Sequence, residues 1–228
     1  NKVYDDIEGL SSEWSRRLVM EPGTGYTGLQ ELLQSGRLLE AKDLWVAGAV
    51  GEDELPGVKR FNEKMISRSL EAIEELKGVI TSYKEPKYHI VRTQYAAAGE
   101  EVRSRFRQVF LDSVDFVVCD STTGVDVMEK VKVKPARHCV LFIKEQLRCA
   151  ATLHKTHIGV LYDRVSKLDN VMVQGLAGRG TGYDVPDCLV VFSDVKSIVR
   201  YLAVVQDGFE TMKGLKCSGG VTMMNREG

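Results

Sequence analysis

Four glycines surround a single arginine in the stretch VMVQGLAGRGTGYD, residues 171–184. Two kinds of phosphate chemistry suit that composition. Glycine amides can wrap a phosphate directly, as they do where a loop opens a helix. Alternatively, Arg179 supplies a guanidinium to a triphosphate held on another domain, where it stabilises the charge developing on the transferred phosphoryl group. A plain glycine-rich turn with an incidental surface arginine is the third reading. Spacing tests the first. A Walker A loop needs Gly-Lys followed by Ser or Thr, and no Gly-Lys pair occurs in the chain. A dinucleotide fingerprint needs G-x-G-x-x-G opening a helix. Gly178 and Gly180 match, but the third place holds Tyr183, and Pro186 would break the helix that should follow. The functional reading left beside the plain turn centres on Arg179, with Gln174 upstream as a bridge between nucleotide and polynucleotide.

Other constellations carry less. His138, Cys139, Cys149, His154 and His157 lie close in sequence, but no CxxC or H-x3-H completes a zinc set, and Cys139 sits in an apolar run. These are expected to be core cysteines and satisfied histidines. In EKVKVKPARH, residues 129–138, Lys130, Lys132 and Lys134 alternate with valines. On a strand they would share one face, either along a phosphate backbone or as the solvated edge that lysines and Pro135 commonly protect. There is no G-x-S-x-G elbow and no H-E-x-x-H. Tyr183 is the aromatic residue expected to be exposed and able to stack on a base, whereas Tyr162 and Phe192 read as core.

The elements that must position these residues follow from periodicity. The 228 residues are 43% hydrophobic, enough to build a core. Apolar positions Phe61, Met65, Ile66, Leu70, Ile73, Leu76 and Ile80 recur at helical spacing and predict one long amphipathic helix over 58–83. A short helix is expected around Leu29–Leu33, ended by Gly36, and an acidic loop over 48–57. After Pro86, the runs YHIVR (88–92), VDFVVC (114–119), HCVLFI (138–143), HIGVLY (157–162) and CLVVFS (188–193) read as strands. Helical patterns separate them, including GEEVRSRFRQVFL, and DVKSIVRYLAVV with Ser193 or Asp194 as N-cap. Continuous apolar strands between helices predict a parallel sheet covered on both faces. The fold class is thus α/β, with residues 86–228 as the α/β domain and 1–85 as a mostly helical region before it. In such sheets ligands collect at the carboxyl ends of the strands. That edge should gather Thr93 and Gln94, Asp120 to Gly124, Lys144 to Arg148, and the glycine stretch.

The motifs resemble the second RecA-like lobe of superfamily 2 (DEAD/DEAH-like) helicases. VQGLAGRGTGYD is similar to motif VI of that family. CVLFIKEQLRCAATL followed by HIGVLYDRV looks like motif V, and KYHIVRTQ like motif IV, in the expected order. The combination resembles helicase-like proteins of bacteriophages and large DNA viruses, and GYTGLQELLQSGRL looks like the segment joining the two lobes there. The resemblance covers about residues 86–205 well and the earlier region loosely. It implies a RecA-like fold, with Arg179 as arginine finger and Gln174 as the motif VI glutamine. It also implies that Gly178, Arg148 and Thr152 face the nucleotide or a strand backbone, and that Thr93, Gln94, Ser121, Thr122 and Thr123 line a DNA or RNA track. Gln174 and Gly178 lie one residue further apart than in the common pattern, and Gly182 or Tyr183 replaces its second arginine, so Arg179 would act alone.

The resemblance further implies an ATP-dependent helicase using ATP and Mg2+ held mainly by a first RecA-like lobe. No Walker A and no D-E-x-[DH] box occur here, so the chain is expected to be a C-terminal part, inactive by itself. Composition fits an intracellular, cytoplasmic or nuclear, protein. The five cysteines are odd in number and dispersed, and no run of 18 apolar residues could span a membrane. Net charge is −1, but residues 1–87 carry 12 basic against 16 acidic side chains and residues 88–228 carry 19 against 16. The more basic surface thus lies in the second part, where a polyanion would bind. A non-catalytic RecA-like module binding nucleic acid or protein is the alternative, and a phosphate-binding enzyme using the glycine loop itself is the third.

Overall fold

The computed structural model describes residues 22–44, 56–93, 96–144, 147, 152–208 and 215–216. The loop expected over 48–57 falls outside them up to residue 55, as do Gln94, Arg148, Cys149 and Cys217. Helices are α1 (Leu29–Gln34), α2 (Pro56–Ser82), α3 (Ala96–Phe110), α4 (Val127–Lys130), α5 (Asp169–Met172), which runs into a π-turn at Val173–Ala177, and α6 (Val195–Gln206). Strands are β1 (Leu38–Glu40), β2 (Tyr88–Arg92), β3 (Asp115–Cys119), β4 (Cys139–Ile143), β5 (Ile158–Tyr162) and β6 (Val190–Ser193). All six strands are parallel, in the order β1-β6-β5-β2-β4-β3. This is the α/β class expected, a parallel sheet flanked by helices and consistent with a RecA-like fold.

Alternation along the strands sorts the core into two layers. On one face Val91, Val140, Phe142, Tyr162 and Phe192 pack against Ile73, Leu76 and Ile80 of α2 and Phe106 and Phe110 of α3. On the other, Ile90, Leu141, Ile143, Leu161 and Val191 pack against Leu29 and Leu32 of α1, Val127 of α4, Leu176 and Ala177 of the π-turn and Ile198 of α6. Burying each such aliphatic side chain stabilises by roughly 1.5–3 kcal/mol. Both layers draw on residues from either side of position 85, and Leu38 of β1 pairs with Val191 of β6. The sheet therefore crosses the boundary expected there.

The direction of winding reverses between β2 and β5. From β2 the chain crosses outward through α3 on one face, and from β5 it crosses the opposite way through α5 on the other. The carboxyl ends of these two neighbours therefore open the crevice where such folds bind ligands.

Two local expectations differ. Residues 129–138 are not a strand: Asp126 caps α4 by accepting from Met128 N at 2.8 Å, and turns follow. The lysines do not share a face. Lys130 lies over the Tyr88 ring, Lys132 pairs with Glu129 at 2.6 Å, and Lys134 pairs with Glu85 at 3.0 Å. The glycine stretch, in turn, is largely helical rather than an open turn, because outside contacts hold it.

Candidate functional site: the arginine-bearing turn

Arg179 sits where α5 and its π-turn end. The turn breaks helical geometry at Gly175 (φ −74°, ψ −145°), which redirects the following amide out of the helix. Leu176 N–H donates instead to Asp163 Oδ2 at 2.7 Å. Asp163 stands just past the carboxyl end of β5 and is 1% exposed. Its carboxyl also accepts from Arg164 N at 2.9 Å and from Arg92 at 3.2 Å, a three-donor pattern expected of a carboxylate. Burial raises its pKa, opposed by Arg92 and the two amides. The glycine at 175 is needed for approach: a Cβ there would stand 2.1 Å from Asp163 Oδ2. At Gly178 a Cβ would stand 2.4 Å from Val173 O, so the π-turn excludes a side chain.

The start of the same helix is tied to α6. Asp169, fully buried, accepts from Ser197 Oγ at 2.7 Å, Arg200 Nε at 3.0 Å and Lys216 N at 2.9 Å. The Arg200 guanidinium holds its carboxyl down at about 2.

Beyond Arg179 the chain meets residues 23–28. Thr27 and Gly182 exchange backbone hydrogen bonds of 2.8 and 3.0 Å. Thr181 Oγ1 donates to Gly178 O at 2.7 Å and accepts from Tyr26 Oη at 3.1 Å. Gly23 N donates to Tyr183 Oη at 3.0 Å, and the Tyr26 and Tyr183 rings meet edge to face at 5.2 Å.

These bonds decide against the loop as a phosphate cradle. The amides of Leu176, Gly180 and Gly182 are all taken by protein oxygens. What the turn presents is a guanidinium. It donates to Gln174 O, and to Gly175 O at 2.8 Å, closing on carbonyls of its own helix. Arg179 is half-buried, and the Gln174 side chain is exposed.

The other candidates fall at separate places. Ser121, Thr122 and Thr123 form an exposed turn at the carboxyl end of β3, organised by Asp120 Oδ1, which accepts from Thr122 N at 2.9 Å and Thr123 N at 3.0 Å. β5 and β3 are separated by β2 and β4. At roughly 4.8 Å per strand, that turn lies about 14 Å across the same edge from the end of β5. Thr93 is 5% exposed at the end of β2, its amide on Ile143 O at 3.0 Å, so its side chain faces protein. Thr152 is exposed on the connection between β4 and β5.

Arg92 and Asp163 are the residues that sequence reasoning missed. The available signal was a charged residue ending or directly following an apolar strand at each of two neighbours. Lys42 continues this edge: its backbone N and O bond Tyr162 Oη at 3.0 and 2.7 Å, locking the chain after β1 to β5.

No protein-family model, curated protein or solved structure matches the chain. Among the described residues no helix is long and apolar enough to cross a membrane.

Proposed function

We propose that this chain is the second RecA-like lobe of a nucleic-acid-dependent ATPase of helicase type, with Arg179 as its arginine finger. The observation that carries the reading is the tie between Asp163 and Leu176 N, which fastens an arginine-bearing turn to the carboxyl edge of a parallel sheet where its winding reverses. A guanidinium mounted there can reach across an interface to a triphosphate on a neighbouring lobe. The Ser121–Thr123 turn, on the same edge, would belong to the DNA or RNA track.

Among the described residues no group of three His, Cys, Asp or Glu side chains converges. On this reading ATP and Mg2+ belong to the first lobe, where the metal would neutralise charge between the β- and γ-phosphates. This lobe contributes three things: a buried anchor, a turn of fixed shape, and one cation that must leave two backbone carbonyls to act.

The test is nucleic-acid-stimulated ATPase of the intact protein with Arg179→Ala. A fall of about 10²–10³-fold in kcat is expected, the scale for losing one charge-stabilising donor. Unchanged turnover would remove the assignment. The hydrogen bonds from Arg179 to Gln174 O and Gly175 O favour a second reading, a non-catalytic binding module in which the arginine only caps its own helix. That reading expects Arg179→Ala to lower stability while leaving turnover and nucleic-acid affinity unchanged.

A further inference from the structure

The backbone around Arg179 is held at two points, and they are unlike each other. Upstream, Leu176 N is fixed on Asp163, a group 1% exposed and already paired with Arg92. Downstream, Thr181 to Tyr183 are held by residues 23–28, which form no part of α5 or the sheet. Residues 23–28 have a firm base, because α1 follows directly and buries Leu29 and Leu32 in the core. They also have a tight turn, with Gly25 at φ +86° and Tyr26 N donating to Gly23 O at 3.3 Å. The hydroxyl relay has a fixed direction. Thr181 has one hydroxyl proton and Gly178 O can only accept, so Thr181 donates to Gly178 O and Tyr26 must donate to Thr181. The relay thus ends on the residue directly before Arg179.

Resting on the reading of Arg179 as a finger, we infer that Tyr26 is a positioning residue for that arginine and that the 23–28 segment is a clamp on its turn. With Leu176 held on one side and Thr181 and Gly182 on the other, the backbone between them is fixed. Moving the guanidinium off the carbonyls of Gln174 and Gly175 then swings only the side chain. Without the Tyr26 hydroxyl, Thr181 loses its side-chain tie to the clamp. Only the Thr27–Gly182 pair and the Gly23–Tyr183 bond still hold that side, so the guanidinium samples positions away from the phosphate. An orientation error near 1 Å at a reacting group costs up to about a hundredfold in rate. The clamp lies outside the α/β pattern, so it offers a route by which anything that pulls on the chain before α1 would reach the arginine.

The test compares Tyr26→Phe, Thr181→Ser, Thr181→Val and Arg179→Ala in the intact protein, with ATPase kinetics and amide hydrogen exchange as readouts. Tyr26→Phe removes one hydroxyl and keeps the ring against Tyr183. It should lower kcat roughly ten- to a hundredfold at unchanged KM for ATP, and have no further effect in the Arg179→Ala background. Thr181→Val should match it, and Thr181→Ser, which keeps the relay, should restore full turnover. Exchange at Gly180 and Gly182 should quicken in Tyr26→Phe, while Leu176, fixed on Asp163, stays protected. Full turnover in Tyr26→Phe beside a slow Arg179→Ala overturns this inference alone, and so does an undiminished Tyr26→Phe effect in the Arg179→Ala background. Full turnover in Arg179→Ala overturns the finger and the clamp together.

Discussion

The two ends of the central strand β2 bury polar groups in opposite ways. At its carboxyl end Arg92 pairs with Asp163, and the carboxylate reaches past the sheet to hold the amides of Arg164 and Leu176. At its amino end His89, fully buried, meets His138 at 3.1 Å between Nε2 and Nδ1. Lys87 N–H also donates to His138 Nδ1, at 3.3 Å, so that nitrogen is an acceptor and His89 Nε2 carries the proton. Tyr83 closes this end, with its hydroxyl 2.6 Å from Gly159 O and 2.8 Å from Cys188 O. Burial, with His138 and Lys87 adding to it, pushes His89 down to about 3. One end thus buries a charge pair that anchors the arginine-bearing turn; the other buries neutral rings that only close the sheet. A charge can hold several backbone amides at a working edge. Neutral imidazoles cannot, and what they add is sensitivity to acid.

The sharpest way to break this contrast is Asp163→Ala. It leaves the Arg92 charge and the Leu176 amide without their acceptor, and unfolding free energy should fall by about 3–5 kcal/mol, as when one partner of a buried pair is removed. A loss below about 1 kcal/mol in urea titration would mean that the pair anchors nothing. Next comes acid. His89 has a folded pKa below its ordinary 6.5, so the unfolded chain binds the proton first and stability falls as pH drops below 6.5. The loss should be about 2 kcal/mol at pH 5. His89→Gln should flatten most of that slope, leaving a smaller part from His138, also lowered by burial. Asp169 acts in a separate window, its contribution being lost only as pH falls from 3.8 toward about 2. Measured pH profiles that coincide for His89→Gln and the parent protein would contradict the neutral amino end. The smallest effect is Tyr83→Phe, which removes the one hydroxyl proton that the carbonyls of Gly159 and Cys188 share at that closed end and should cost about 1 kcal/mol by thermal unfolding.

Much of the fold could be read in advance because β-branched runs bounded by turns have few alternatives. The strands were expected within two residues of where they lie, and α2 followed from seven periodic apolar positions. β1 was missed because Leu38–Glu40 is too short to show a period, and only its pairing with β6 makes it a strand. The arginine-bearing turn was misread for the opposite reason. Glycine propensity argues against a helix, but Asp163 and the packing of Leu176 and Ala177 impose one. The lysine alternation at 130–134 imitated a strand because its pattern carried no trace of the Asp126 cap. Of the candidate site, Arg179 was legible as a side chain, but the residues that hold its turn lie far away in sequence, with Tyr26 on Thr181 and the Arg92–Asp163 pair on Leu176.

The pairing of Leu38 with Val191 also has a temporal side. Among the described strands β1 leaves the ribosome first and its partner β6 last. Until Val190–Ser193 is made, Leu38–Glu40 has no strand to join, and until Thr181–Tyr183 is made, residues 23–28 lack their partners. A strand made early thus waits for one made late, a non-local closure of the kind that slows folding. The turn that carries Arg179 therefore joins residues 23–28 only after the long stretch of chain between them has been made.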